Sequence, residues 1–354
     1  MESASPGKPE ALGTASDPGR TDDAAPRMLQ LLNSFLTVQA LHVAAGLGIA
    51  DLLADGPVSV EDVAAVTGAH RPSLYRLLRM LAGAGVFTEE ADGRFALTAL
   101  GGTLRSEGPA SVRDWALYVG APETWEVWGR LHDTVMTGEP GFLLARGMPM
   151  WDYLAEKPEL RAPFDRWMTR QSDQHNAAIV AGYDFSRFRT VADIGGGQGS
   201  TLAAILRADP SLRGILLDMP QVVAHHAPLE ADGLAQRCEV VGGDMLLRVP
   251  PGADAYLVKR VLMDWGDEQA TRILRNCAEA LTADGRLLVV EMVLLPDNEP
   301  SPARAFDLLM LLMQMGARVR TEAEFRDLFA AAGLLLTRVI PTASPNSIIE
   351  GVPG

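Results

Sequence analysis

Val191-Ala-Asp-Ile-Gly-Gly-Gly-Gln-Gly-Ser200 has the pattern of a buried strand that turns through glycines into a helix. Glycines at 195, 197 and 199 let the backbone approach a ligand that a Cβ atom would exclude. Short apolar runs then alternate with amphipathic segments, such as the helices expected at 201–208 and 268–281. We expect strands at residues 190–194, 214–217, 238–241, 255–258, 286–291, 335–340 and 347–350. This alternation predicts an α/β domain, doubly wound around a mostly parallel sheet, with its ligand site at the carboxyl ends of the strands.

The glycine spacing indicates which cofactor the turn would hold. A dinucleotide fingerprint, Gly-x-Gly-x-x-Gly, that began at Gly195 would place its third glycine at Ser200. The spacing in this sequence is Gly-x-Gly-x-Gly, which favours S-adenosylmethionine over a nicotinamide dinucleotide.

Acidic residues at the ends of the predicted strands suit the same ligand. Asp218, in Leu216-Leu-Asp-Met-Pro, ends the second strand, where a carboxylate can accept hydrogen bonds from both ribose hydroxyls. Asp244 and Met245, in Gly242-Gly-Asp-Met, follow the third strand, where an adenine amine and ring face would lie. Asp193 would lie under the glycine turn, near the amino acid end of the ligand. For each Asp the alternative is a helix cap or a turn residue.

Bulk composition excludes several classes of protein. The 354 residues are 47% hydrophobic, enough for a large core and for more than one domain. The formal charge of -14 counts against nucleic acid as a partner. Cys238 and Cys277 have no CxxC spacing, so neither a disulfide framework nor a metal site is expected. We find no cleavable leader and no apolar run of about 18 residues, and we therefore expect a cytoplasmic enzyme with no membrane partner.

Four segments are expected along the chain. Residues 1–26, rich in Pro, Gly, Ala, Ser and Asp, predict a disordered tail. Residues 27–108 contain an apolar helix near Phe35, further helices and a hairpin, an order typical of a winged helix. Residues 109–185 read as a helical, aromatic-rich linker that forms a substrate pocket, and residues 186–354 as a Rossmann-like domain. A winged-helix regulator is the rival class, but acids outnumber bases over residues 57–104, which leaves no basic stripe for phosphates.

Residues 28–354 resemble the bacterial relatives of plant caffeate-type O-methyltransferases, which include anthracycline and mitomycin tailoring enzymes. The resemblance rests on Asp193-Ile-Gly-Gly-Gly-Gln-Gly-Ser, Leu217-Asp-Met-Pro, Gly243-Asp-Met, Val258-Lys-Arg-Val-Leu-Met-Asp-Trp and Arg320-Thr-Glu-Ala-Glu-Phe. It implies a Rossmann-like methyltransferase domain with an N-terminal winged-helix, mostly helical dimerisation domain, S-adenosylmethionine as cofactor, and a homodimer. It also implies methylation, most often on oxygen, of an aromatic or polyketide secondary metabolite in natural-product biosynthesis.

The resemblance assigns cofactor contacts to individual residues. Gly195 would contact the methionine part, Asp218 the ribose, and Lys259 the rim of the pocket, although Lys259 also fits a solvated charge at a strand end. Trp265 would lie beside the cofactor or simply in the core. The expected cofactor-binding set is Asp193, Gly195, Gly197, Asp218, Met219, Gly243, Asp244, Met245, Lys259 and Trp265.

The substrate is expected between the helical linker and a methionine-rich helix near residues 303–316. Aromatic side chains supply large contact areas for a flat ligand, and flexible thioethers adapt to one, although most of these residues could equally be core. The expected substrate contacts are Trp115, Phe142, Trp151, Met168, Met310, Met313 and Gln314.

The family's catalytic base is absent at the position where the resemblance places it. The family phrase Val-Leu-His-Asp-Trp corresponds to Val261-Leu-Met-Asp-Trp265, and the thioether of Met263 cannot accept a proton at neutral pH. A second family glutamate corresponds to Val319, while the first is retained as Glu291.

Three reactions therefore stay open. The first is methylation of oxygen by alignment alone, on an already acidic phenol, or with another base: His175 is preferred, and Asp264 and Glu291 are the other candidates. The second is methylation of an electron-rich carbon. The third is use of the cofactor without transfer of its methyl group, as in a hydroxylase, decarboxylase or cyclase.

Overall fold

The computed structural model describes residues 24–354, with the side chain of Asp232 excepted. Its strands are β1 Phe87–Glu89, β2 Phe95–Leu97, β3 Thr190–Ile194, β4 Arg213–Asp218, β5 Cys238–Gly242, β6 Ala255–Lys259, β7 Arg286–Glu291, β8 Val293–Leu294, β9 Arg320–Thr321, β10 Leu334–Pro341 and β11 Ser347–Pro353. Its α-helices are α1 Ala24–Leu32, α2 Ser34–Gly46, α3 Ile49–Leu52, α4 Val60–Thr67, α5 Arg71–Gly83, α6 Ala99–Gly102, α7 Arg113–Val119, α8 Pro122–Trp128, α9 Leu131–Thr137, α10 Gly141–Arg146, α11 Met150–Glu156, α12 Pro158–Gly182, α13 Ser200–Ala208, α14 Pro220–Val223, α15 Ala227–Glu230, α16 Asp267–Ala280, α17 Pro302–Met313 and α18 Glu322–Ala331. Short 3₁₀ helices lie at Phe185–Arg187, Ala231–Arg237 and Leu262–Asp264.

The central sheet has seven strands in the order β10-β11-β7-β6-β3-β4-β5. Neighbours from β5 through β7 pair in parallel, whereas β11 is antiparallel to β7 and β10 is antiparallel to β11. The predicted mostly parallel sheet is therefore confirmed, and the one clear difference in strand length is at the C-terminus, where β11 continues to Pro353.

The apolar content of the central strands explains this architecture. Both faces of a parallel sheet are covered by helices, so its strands carry nearly continuous hydrophobic runs, as Leu287-Leu-Val-Val290 of β7 shows. Leu202 and Leu206 of α13 pack on one face, while Ile273 and Leu274 of α16 pack on the other. Strand order reverses between β3 and β6, which places a ligand crevice at the carboxyl ends of these strands.

Helices from the middle of the chain lie over that carboxyl edge. Pro158 begins the 25-residue helix α12, where a proline costs no hydrogen bond. This helix packs against α7 and α13. Residues of α7, α12 and α17, among them Tyr118, Phe164 and Met310, share a third core next to the sheet.

The N-terminal part contains the expected winged-helix order of α4, α5 and the β1-β2 hairpin. Ser59 caps α4 by accepting a hydrogen bond from the Asp62 amide at 3.1 Å. Residues 24–46 form a helical stretch that is long and apolar enough to cross a membrane by length and composition alone, a test that helices of soluble proteins also pass, and 17% of its most apolar 18-residue window is buried. Its exposed apolar side chains are Met28, Leu29, Leu31, Leu32, Phe35, Leu36 and Val43.

The N-terminal segment expected to be a disordered tail is described only in part. Most of the expected disordered tail, residues 1–23, lies outside the described residues. Residues 24–26, which we assigned to that tail, instead form the first turn of α1.

Candidate active site

The glycine turn lies at the carboxyl end of β3 and is fixed to the end of β4. The Gly195 amide donates to the Leu217 carbonyl at 2.8 Å. Gly195 and Gly197 have φ values of +67° and +61°, which favour glycine. A Cβ atom on Gly195 would lie 2.8 Å from Val261 Cγ2 and 3.3 Å from Met245 Sδ, so the turn tolerates no side chain there.

Asp218 lies directly beside this turn, as the sequence predicts. One carboxylate oxygen accepts the Gly197 amide at 2.8 Å and the other accepts the Met219 amide at 2.7 Å. Each carboxylate oxygen has a further lone pair, so Asp218 can still accept hydrogen bonds from a diol.

Asp193 is fully buried under the turn, and neither of its carboxylate oxygens has a hydrogen-bond partner among the described residues. Burial raises its pKa to about 7, against the opposing effect of Lys259. Gly196 lies directly over the carboxyl group, because a Cβ at 196 would be 2.5 Å from Asp193 Cγ and 2.6 Å from Leu216 Cδ1. Sequence reasoning missed Gly196, and the run of three glycines was the available signal.

The ammonium group of Lys259 is hydrogen-bonded within the protein and is not a solvated charge at the end of β6. Its ammonium group donates to Ser172, to Asn176 at 3.1 Å and to Thr201 at 2.9 Å, and so connects β6 to α12 and α13. Burial lowers its pKa to about 8. Sequence reasoning missed Ser172 and Asn176, because nothing local indicates which face of α12 meets the sheet.

The residues expected around an adenine follow β5. The Gly243 amide donates to the Asp218 carbonyl at 3.0 Å, and Asp244 accepts the Leu246 amide at 2.8 Å. The Trp265 side chain packs against the core beneath β6. Two clefts flank this edge, one including Ser172, Gly196, Gly197, Gln198 and Gln221, and the other Leu217, Gly242, Gly243, Asp244 and Val249.

These features fit an elongated cofactor with an amino acid end, a ribose and a flat ring. The glycine turn leaves room for close backbone approach, the orphaned Asp193 carboxylate suits a cationic group, and Asp218 suits a diol. The arrangement therefore matches the ligand expected from the glycine spacing.

A second, largely apolar cavity lies between α7, α11, α12 and α17, and its aromatic and aliphatic walls suit a flat apolar molecule. Met168 lines both this cavity and the cleft beside Gly196 and Gly197, so the two spaces adjoin. The lining residues are Trp115, Tyr118, Met150, Trp151, Phe164, Trp167, Met168, Arg260, Met263, Asp264, Phe306, Leu309, Met310, Met313 and Gln314.

Six of the seven predicted substrate residues line this cavity. The exception is Phe142, which does not line the cavity but is fully buried in the adjoining core, with its ring centroid 6.2 Å from that of Tyr153. Sequence reasoning missed Trp167, although an aromatic residue in the linker was a signal for a cavity contact. Its ring stacks on that of Trp115, with 5.7 Å between the ring centroids.

Met263 lies in the cavity wall at the position where the family places its base. Its amide donates to the buried carboxylate of Glu291 at 3.3 Å. Asp264, the next residue, also lines the cavity, and Gln314 donates to its carbonyl at 3.2 Å. Burial raises the pKa of both Asp264 and Glu291 to about 7, while the nearby Arg260 guanidinium opposes this shift.

His175, the base preferred from the sequence, is not among the residues that line the cavity. It is buried, and its Nδ1 accepts a hydrogen bond from the Asn346 side chain at 3.1 Å. Burial, together with the positive charges of Arg260 and Lys259, lowers its pKa to about 4. The imidazole ring is therefore a weak base, and its Nδ1 lone pair already accepts the hydrogen bond from Asn346.

Comparison with known proteins agrees with this geometry. A model of the O-methyltransferase domain matches residues 128–335, and a model of the O-methyltransferase dimerisation domain matches residues 29–107. The chain is 45% identical over 327 residues to the phenazine O-methyltransferase of Lysobacter antibioticus, covering 92% of this chain and 95% of that protein. It is 38% identical over 345 residues to the aclacinomycin 10-hydroxylase of Streptomyces purpurascens, covering 95% and 89%.

A solved structure with bound ligands also matches. An O-methyltransferase from neocarzinostatin biosynthesis, in complex with S-adenosylmethionine and 2-hydroxy-5-methyl naphthoic acid, aligns with a TM-score of 0.77 at 34% identity. The alignment covers 90% of this chain and 96% of that chain.

Proposed function

Because this chain belongs to the O-methyltransferase family, we propose that it transfers a methyl group to an oxygen atom of a flat aromatic secondary metabolite. The chain is an S-adenosylmethionine-dependent methyltransferase, and S-adenosylmethionine is its cofactor. When bound, the cofactor supplies an electrophilic methyl group. The observation that carries the proposal is the aromatic cavity that adjoins the glycine turn through Met168.

The cavity residues account for binding and orientation of such an acceptor. Trp115, Trp151 and Trp167 present large apolar surfaces, and Met310 and Met313 adapt to the outline of a flat ring system. Alignment of an acceptor beside the cofactor removes much of the entropic barrier to transfer, and the apolar walls exclude water.

We assign the base to Asp264 in place of the missing histidine. Asp264 lines the cavity, and its raised pKa of about 7 makes it a stronger base than an ordinary aspartate. Glu291 is a positioning residue, because it is buried and accepts the backbone amide of Met263 instead of facing the acceptor.

A labelled-transfer experiment tests the proposed activity. The protein is incubated with cofactor that carries a radiolabelled methyl group and with a panel of hydroxylated phenazines and hydroxynaphthoates. We expect label in a product with at least one of these aromatic hydroxyl compounds. Conversion of an acceptor to an unlabelled product would overturn the assignment of methyl transfer.

A non-methylating reaction is the second candidate. It is favoured by Met263 in place of a proton-accepting residue and by the 38% identity to a hydroxylase. The labelled cofactor separates the candidates, since a hydroxylase or decarboxylase would change the acceptor without incorporating label. Transfer to carbon, the third candidate, would yield a labelled product that keeps all of its hydroxyl groups.

We also propose a cytoplasmic homodimer built through residues 29–107, the segment that matches the dimerisation domain. The exposed apolar side chains of α1 and α2, including Leu29, Leu32 and Leu36, support this, because such a patch on a soluble chain marks an interaction surface. The position of these side chains inside the dimerisation match favours burial between subunits over insertion into a membrane.

A further inference from the structure

Arg260 is a cation in the wall of the substrate cavity that sequence analysis did not single out. Its guanidinium lies over the Phe306 ring, 4.8 Å from the centroid. The Nε and Nη1 atoms are buried and have no hydrogen-bond partner among the described residues. A buried arginine whose donors have no partner in an apolar cavity wall is costly to maintain unless a bound molecule uses those donors.

The backbone holds this side chain in place at some cost. Arg260 has a φ of +52°, the only positive value at a residue other than glycine in the part of the chain that the structure describes. Its amide donates to the Val290 carbonyl at 2.9 Å, which fixes the turn after β6. Strained backbone of this kind clusters at ligand sites, where the surrounding structure enforces it.

The carboxyl groups nearest to Arg260 do not pair with its guanidinium donors. Glu291 and Asp264 are the carboxyl groups that influence its pKa, but burial raises the pKa of each to about 7, so both are partly protonated at neutral pH. No ion pair joins either one to Arg260 in residues 24–354. The cavity wall therefore holds a guanidinium whose Nε and Nη1 donors no carboxylate of the described residues occupies.

We propose that Arg260 binds an anionic oxygen of the aromatic acceptor, either a carboxylate on the ring system or the ionised hydroxyl itself. This inference rests on the proposed function and narrows its substrate class to aromatic acids and acidic phenols. The fork of guanidinium donors matches an anionic oxygen, and the apolar surroundings strengthen the interaction. An acceptor whose hydroxyl is already ionised has no proton to lose, whereas an acceptor held through a ring carboxylate still passes its hydroxyl proton to the proposed base, Asp264.

The test measures binding of matched charged and neutral probes, with S-adenosylhomocysteine present so that no methyl group is transferred. Naphthoate is compared with its neutral amide, and ionised dinitronaphthol with its neutral methyl ether, by titration calorimetry. We expect the wild-type protein to prefer the anion of at least one pair by about 10-fold to 100-fold, the range for a hydrogen bond to a charged group. Preference for naphthoate identifies a carboxylate ligand, and preference for the naphtholate identifies a phenolate.

Arg260→Gln should abolish that preference and leave the affinity for the neutral probes within about twofold. Arg260→Lys should retain part of it, because the charge remains but the planar fork is lost. Arg272→Gln, on the exposed face of α16, is the matched control and should behave like wild type. S-adenosylhomocysteine affinity and melting temperature report whether each variant is folded.

Equal affinity of the wild-type protein for charged and neutral probes overturns the inference, even if Arg260→Gln does not fold. A folded Arg260→Gln that keeps the wild-type preference also overturns it. Neither result depends on turnover. Failure of the proposed function shows instead as absence of labelled product, whatever the probes report.

Discussion

Asp264 lines the aromatic cavity and has a pKa raised to about 7 by burial, so if it is the base, as proposed, its protonation state should govern turnover. The base must be deprotonated to accept a proton, and we therefore predict that the rate of methylation of a neutral phenol rises as pH increases through about 7. Asp264→Asn should lower this rate on the order of 10²- to 10⁴-fold and remove that ionisation. The measurement is kcat against pH.

Met263→Leu is the control for Asp264, because it changes the adjacent cavity residue with nearly the same volume and no titrating group. It should keep the wild-type pH profile. The base assignment fails if Asp264→Asn shows the wild-type profile, or if Met263→Leu removes the ionisation.

Asp218 gives a second prediction for a single side chain. We expect Asp218→Ala to weaken S-adenosylmethionine binding about 10-fold to 100-fold, the loss of a hydrogen bond to a charged group, and to free the Gly197 amide. Calorimetry measures the affinity, with Asp209→Ala as control, since Asp209 caps an exposed turn at Ser211. An unchanged dissociation constant in Asp218→Ala would remove this residue from the cofactor site.

Among the elements, the turn between β3 and α13 depends on the absence of a side chain at position 196. A methyl group there would meet Asp193 Cγ at 2.5 Å, so we predict that Gly196→Ala destabilises the fold by about 1–3 kcal/mol. Gly83→Ala, at the end of α5, has no neighbour within 4 Å of the new atom and should be neutral or slightly stabilising. Denaturant unfolding compares the two variants, and equal stability would contradict the close contact.

The strands could be predicted from sequence because each is a short apolar run bounded by polar or glycine residues. Buried parallel strands of this kind carry a strong local pattern, and β3 and β7 begin and end at the predicted residues. The glycine turn and Asp218 could be predicted equally well from the sequence, because each lies at the end of a predicted strand.

The parts of the site that sequence could not predict depend on distant contacts. His175 is hydrogen-bonded to Asn346, which is 171 positions away, and no local pattern predicts that contact. Arg260 owes its place to a positive φ and to the ring of Phe306 on α17, neither of which leaves a local signal. Phe142 and Trp151 are both aromatic residues of the linker, and only packing decides which one reaches the cavity.

For the whole molecule, the exposed apolar surface of α1 and α2 predicts assembly. We expect light scattering at low micromolar concentration to report about twice the chain mass of 37.9 kDa. The double variant Leu32→Glu with Leu36→Glu should be monomeric, because charges on this surface oppose burial. Met136→Glu, at an exposed apolar position on α9 outside residues 29–107, is the control and should stay dimeric. A wild-type monomer would contradict the proposed dimer.

The central claim, transfer of a methyl group to oxygen in an aromatic cavity, is tested most directly by the bond that the transferred carbon forms. Cofactor with a ¹³C-labelled methyl group is incubated with the protein and an accepted hydroxyphenazine or hydroxynaphthoate, and the product is examined by carbon NMR. The account predicts a labelled methyl signal at the position of an aryl methyl ether, with one hydroxyl group fewer in the product. A labelled methyl bonded to ring carbon, or a converted acceptor without label, would contradict it.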